Sequence, residues 1–238
     1  MQIKYKRFRG RVNIQKIYPL TIGCCKTILC EKDTELGDSP LKRFEDNSFA
    51  LEMMKNFVFD LLDKTDSSSR DLKISYYDPM GEHPSIAEKL LRFTPFLTVF
   101  TNVPKFYEKE SERLADIYGA SLIVTNTFEQ LYDSNIFITS VPIDVPIQLS
   151  SECLVFSPSA PLVSVKNPVI YDYFTEIPYK YRRLKPDETD SFYFLSALYS
   201  LCEANDLLKI IPEKCADGNA VYSTERLIYR IQKTKRSA

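Results

Sequence analysis

The loop Asp78-Pro79-Met80-Gly81-Glu82-His83-Pro84 carries the residues best suited to chemistry. It holds the chain's only histidine. An imidazole at the mouth of a crevice can act as a general base near neutral pH. A loop histidine beside a proline fits a surface position equally, so His83 is a candidate catalytic residue without an assigned partner. Any Ser-His-Asp triad would have to be built around it, and no motif points to the serine. The chain has no Gly-x-Ser-x-Gly and no Walker loop. Six cysteines are present, and Cys24, Cys25 and Cys30 lie closest together. Their spacing matches no common zinc pattern and no histidine lies nearby, so no metal site is expected.

Alternating strands and helices must position that loop. Leu72–Tyr77 reads as a strand, and Ser85-Ile86-Ala87-Glu88 as a capping box opening a helix to about Phe93. Phe96–Phe100 is a near-continuous apolar run, as befits a parallel strand buried on both faces. Pro104 suits the first turn of a helix from about Lys105 to Tyr118, and Gly119 ends it. Ser121–Thr125 is the next strand. Thr127-Phe128-Glu129-Gln130 is a second capping box before a helix of barely two turns, and Asn135–Thr139 is a further strand. This alternation predicts βαβ units and a parallel sheet. Ligands of such sheets lie beyond the strand C-termini. The loops there contain Gly81, Glu82, His83, Asn102, Lys105, Asn126 and Ser140.

Around this centre, residues 1–30 read as two or three short strands. Phe49, Ala50, Met53, Met54, Phe57, Val58, Leu61 and Leu62 form one apolar stripe of a helix. Asp63–Arg70 is a polar connector. Beyond Ser140, strands are expected at Cys153–Phe156 and Val169–Phe174, and helices at about 188–204 and 223–233. The predicted division is a β-rich N-terminal element with a helix over 1–70, a Rossmann-like domain over 71–160, and C-terminal strand and helices over 161–238 packing on the same body. The fold class is α/β: a three-layer, Rossmann-like parallel sheet flanked by helices, with a small N-terminal α+β element.

At 238 residues with net charge −1, the chain can bury a sizeable core and gives no global argument for nucleic acid. Basic residues do cluster at both ends, at Lys4, Lys6, Arg7, Arg9, Arg11 and Lys16 and again at Arg226, Arg230, Lys233, Lys235 and Arg236. They read as solvated faces or as a surface for an acidic partner. No apolar run is long enough for a bilayer. The basic, alternating start does not look like a signal peptide, and free thiols fit a reducing compartment, so a cytoplasmic location is expected. The tyrosine-rich stretch 171–181 would serve a homodimer if it exposed an apolar patch.

Residues 71–156 resemble a Rossmann dinucleotide-binding domain, similar to the cofactor domain of shikimate dehydrogenase and glutamyl-tRNA reductase relatives. Where that family has G-x-G-x-x-G/A, this chain has Pro79-Met80-Gly81-Glu82-His83-Pro84, with one glycine. Where NAD enzymes place an acid on the ribose, it has Asn102, with Lys105 three residues on. In the shikimate dehydrogenase group an Asn and a basic residue there serve the 2′-phosphate, so the resemblance implies NADP if any cofactor. Gly81, Asn102, Lys105, Asn126 and Ser140 are then the expected binding residues. Three readings follow. One is a Rossmann-like protein with a degenerate nucleotide loop, no cofactor and no standard dehydrogenase activity, taking another small-molecule or nucleotide ligand or serving as a scaffold. The second is an NADP-dependent oxidoreductase with an unusual phosphate loop. The third is a non-enzymatic interaction protein using the basic termini.

Overall fold

The computed structural model describes residues 27–30, 34, 36–45, 48–65, 72–119 and 122–236. The strands expected before Thr27, the basic stretch from Lys4 to Lys16, the Cys24-Cys25 pair and most of the connector after Thr65 lie outside them.

The first elements are β1 (Thr27–Ile28), β2 (Lys42–Arg43), α1 (Ser48–Lys64), β3 (Lys73–Tyr77), α2 (Pro84–Leu90), β4 (Phe96–Phe100) and α3 (Pro104–Tyr118). There follow β5 (Leu122–Thr125), a 3-10 turn at Phe128–Leu131, β6 (Ile136–Thr139), β7 (Leu154–Phe156), β8 (Val169–Ile170) and β9 (Asp172–Phe174). The chain ends with α4 (Tyr179–Arg182), α5 (Ser191–Cys202), a 3-10 turn at Asn205–Lys209, β10 (Lys214–Ala216), β11 (Val221–Ser223) and α6 (Thr224–Arg236).

The chain groups into two units, Met1–Phe49 with Glu176–Leu208, and Ala50–Thr175 with Lys209–Ala238. In the first, β1 and β2 pair in parallel. Asp190 caps α5 by accepting from the Tyr193 amide, and the Tyr193 hydroxyl donates to the Phe44 carbonyl at 3.0 Å. Phe49 packs against Phe192 and Tyr199.

The second unit is built on six parallel strands in the order β5-β4-β3-β6-β7-β8. Counted from β3, this is 3-2-1-4-5-6, the order of a Rossmann-like α/β fold, with its topological switch between β3 and β6. Period-two alternation gives the sheet two faces, one buried and one buried toward the strand C-termini but exposed at Lys73, Phe96 and Ile123. On one, Ile74, Leu97, Ile136 and Leu154 share a row by register. Phe57 of α1 lies against Phe156 on this face, with ring centroids 6.3 Å apart. All eight apolar stripe residues of α1 are buried, which is why this helix forms. The Thr65 amide and hydroxyl both reach the Leu61 carbonyl at its end.

The other face carries Tyr77, Phe100, Phe137, Val155 and Val169. Its cover here is the 3-10 turn and the coil after Ser140, which contribute Leu131, Ile143, Ile147 and Leu149 to one buried cluster. The coil still satisfies its backbone. The Ser150 amide donates to Tyr132, the Leu162 amide to Ile143, and the Asn167 side-chain amide to the Ser150 and Cys153 carbonyls.

Several local expectations change. Ser85 does not cap α2: Pro84 takes a first-turn position, His83 is the flanking residue, and no side-chain cap bond forms. Glu88 instead meets Arg113 of α3 at 3.0 Å. The box at Thr127 opens a 3-10 turn, again without a side-chain cap bond. The run Val169–Phe174 divides at Tyr171, with β8 in the parallel sheet and β9 in an antiparallel sheet with β10 and β11. That second sheet includes a hairpin missing from the sequence reading.

Burial sets thiol reactivity. Cys153 and Cys215 are 1% and 0% exposed, and burial pushes each thiol up to about 12, with the Asp217 charge adding at Cys215. Cys202 is exposed. Native alkylation at neutral to mildly basic pH, read by peptide mass spectrometry, should label Cys202 readily and leave Cys153 and Cys215 unlabelled, because the buried thiols are shielded from the reagent and held protonated. Equal labelling of Cys215 would show that its burial is not maintained.

Candidate functional site

The site lies at the C-terminal end of β3, at the switch point. The Asp78 amide donates to the Phe100 carbonyl at 3.0 Å and extends the ladder by one residue. The chain then turns over Pro79 and Met80, closed by the Gly81 amide on the Asp78 carbonyl at 3.2 Å. Gly81 has φ +69, the left-handed conformation that glycine adopts without steric penalty.

The turn aims the next two amides at the Asp78 side chain. Glu82 N–H donates to Oδ1 at 3.3 Å and His83 N–H to Oδ2 at 3.0 Å. Two hydroxyls complete the set: Ser140, just after β6, donates to Oδ1 at 3.1 Å, and Tyr107 of α3 donates to Oδ2 at 2.6 Å. Asp78 is 1% exposed, so each carboxylate oxygen is shielded from water and holds two donors. Tyr76 donates to the His83 carbonyl at 3.2 Å, so His83 is held through both backbone groups. Burial raises the Tyr107 phenol far above its ordinary value, and its hydrogen bond to Asp78 raises it further. Tyr76 is raised by burial and then by the Asp78 charge. Both phenols therefore stay protonated as donors. These contacts tie the turn, the start of α3 and the end of β6 together in one node around Asp78.

The node brings together Gly81, Ser140 and the backbone of His83. The other expected residues are at the neighbouring strand ends. Asn102 and Asn126 are exposed after β4 and β5, and Lys105 is exposed in the first turn of α3. The Asn102 amide donates to the Pro79 carbonyl at 3.0 Å, which ties the first two loops together. Gly81 faces side chains: a Cβ there would lie 2.7 Å from Val103 Cγ2 and 3.4 Å from Phe106 Cδ1.

Asp78, Tyr76 and Tyr107 are the members sequence reasoning missed. The legible signal was the Asp-Pro-x-Gly turn itself, since an Asp side chain at such a position commonly takes up nearby amides. A shallow groove lies elsewhere, on the sheet face at Lys73, Ser75, Phe96, Thr98 and Ile123. Among the described residues no group of three His, Cys, Asp or Glu side chains could hold a metal ion. No helix among them is long and apolar enough to cross a membrane.

No family model and no curated protein matches the chain. A solved structure of a lysine cyclodeaminase, described for its recognition of L-lysine, L-ornithine and L-2,4-diaminobutyric acid, matches at TM-score 0.34 and 12% identity. That match covers 58% of this chain and 40% of the other, so the chain spans less than half of that protein's length. Likeness at this level carries nothing about activity, and it gives no link to shikimate dehydrogenase or glutamyl-tRNA reductase relatives. The strand order and the strand-end loops place this chain among Rossmann-like α/β folds.

Proposed function

We propose that this is a Rossmann-like protein with a closed dinucleotide crevice, acting as a scaffold or binding another ligand rather than carrying out nicotinamide-dependent oxidoreduction. One observation carries this reading. Val103, between β4 and α3, and Phe106, in the first turn of α3, stand against Gly81: a Cβ there would lie 2.7 Å from Val103 Cγ2 and 3.4 Å from Phe106 Cδ1, leaving no free space beside the residue. In a dinucleotide loop the second glycine is the one that lets pyrophosphate reach the backbone. Here the same freedom serves contact with the protein itself. Glu82, exposed beside the loop, adds a like charge against a diphosphate. On this reading the loop takes no NADP, although the resemblance would give Asn102 and Lys105 to a 2′-phosphate.

Titration with NADPH and NADH tests this. A cofactor bound with a Kd of about 20 µM would, at about 2 mM, add roughly 2.7 kcal/mol and raise Tm by roughly 5–10 °C. The expected result is no shift beyond that given by matched salt. A saturable shift, or saturable enhancement of NADPH fluorescence, would restore the oxidoreductase reading.

A further inference from the structure

We infer that the loop after β3 is an anion-binding site whose ligand is supplied by the chain itself, the Asp78 carboxylate standing where a Rossmann loop would hold an external phosphate. The inference rests on the closed-crevice reading and goes further, since it assigns the ligand class of the site. Its basis is the donor set. The Glu82 and His83 amides and the Tyr107 and Ser140 hydroxyls converge on one carboxylate, two to each oxygen, at 2.6 to 3.3 Å. They come from three chain segments, with sequence separations of 29 for Tyr107 and 62 for Ser140, so local turn geometry alone does not gather them. The carboxylate and Tyr107 are buried, at 1% and 0% exposure, and Ser140 is at 6%. Ser140 can also turn to the Tyr77 carbonyl at 3.3 Å, but the part-buried Glu82 and His83 amides and the fully buried Tyr107 hydroxyl depend on this acceptor, and several donors converging on one point favour an anion there. Asp78 supplies it permanently. The loop is therefore held without any external ligand.

Size-matched rescue tests the assignment. Asp78→Ala removes the carboxylate and keeps Cβ, so formate replaces the missing group. Asp78→Gly removes one carbon more, so acetate does. Each variant should lose on the order of 10 °C in Tm. Formate should restore at least half of the loss in Asp78→Ala and acetate less, with the order reversed in Asp78→Gly. Sodium chloride at equal ionic strength should restore neither, and the wild-type chain should respond to none of the three salts. Equal recovery with chloride, or folded variants that neither anion restores, would overturn the inference. Should the variants not fold, amide exchange in the wild-type chain decides. The Glu82 and His83 amides belong to no helix or strand, yet they should exchange roughly a hundredfold or more slower than free peptide. Exchange near the free-peptide rate would overturn the assignment. Failure of this reading is separable from failure of the other: NADPH binding together with successful rescue would sink only the closed crevice, and no NADPH binding with no rescue would sink only the internal anion.

Discussion

Replacing Gly81 with alanine should lower Tm by on the order of 10 °C, one of the largest effects available to a single methyl group in this protein. Two separate costs combine. At φ +69 a Cβ meets the neighbouring carbonyl, which costs about 1–2 kcal/mol. The same Cβ would lie 2.7 Å from Val103 Cγ2, so one of the two loops must move, at a further cost of about 1–3 kcal/mol. A double-mutant cycle separates them. Val103 is 39% exposed, so Val103→Ala alone should change little. In the Val103→Ala background, Gly81→Ala should retain the backbone cost and lose most of the steric one, giving a coupling of about 1 kcal/mol or more. Full additivity would show that Val103 does not close the loop. A neutral Gly81→Ala would show that the turn does not hold its left-handed residue.

That glycine illustrates what could be read in advance. Its place after a buried strand was legible, because β3, β4, β5 and β6 follow the alternation of apolar runs and amphipathic helices that a parallel sheet demands. The end of α3 at Gly119 was also legible, and the residue adopts φ +64 as the cap. Ser140 could be named from its position at a strand end alone. The reason for Gly81 could not, because Val103 and Phe106 reach it from the loop after β4 and the first turn of α3. Asp78 was opaque for the same reason: half its donors are local and half come from distant segments. The layer after Ser140 does alternate with a period of two, at Val141, Ile143, Val145, Ile147 and Leu149, but the prolines between them hide what the alternation means. Pro142 and Pro146 suit neither a helix nor a paired strand. Tyr171 sits between Ile170 and Asp172 in a run that reads as one strand, yet its amide donates to Ala216 in the second sheet, and no turn residue marks that change of partner. The Asp217-Gly218 pair, by contrast, was an available turn signal for the β10–β11 hairpin.

The coil layer leads to the second large effect. Tyr77 is 5% exposed, with its ring 5.1 Å from Phe100, 6.0 Å from Phe128 and 6.3 Å from Phe137. Burial raises its phenol, and the charge of Asp144 and a hydrogen bond to it raise it further, so the hydroxyl is a donor toward the coil. Tyr77→Ala removes the aromatic centre of this face and should cost about 3–5 kcal/mol, or on the order of 10 °C. Tyr77→Phe gives up only the hydroxyl and should cost about 1 kcal/mol. The location of the damage is the sharper test. Residues 140–151 contain no helix or strand, so burial of Ile143, Ile147 and Leu149 against this cluster is what holds them in place. Limited proteolysis of Tyr77→Ala below its Tm should therefore cut within 140–151. Phe57→Ala provides the control, because Phe57 is fully buried on the opposite face against Phe156 and Tyr173. It should lose a similar amount of stability while 140–151 stays resistant. If both variants open 140–151 equally, the two faces unfold as one cooperative unit, and the coil is not held by the Tyr77 cluster in particular.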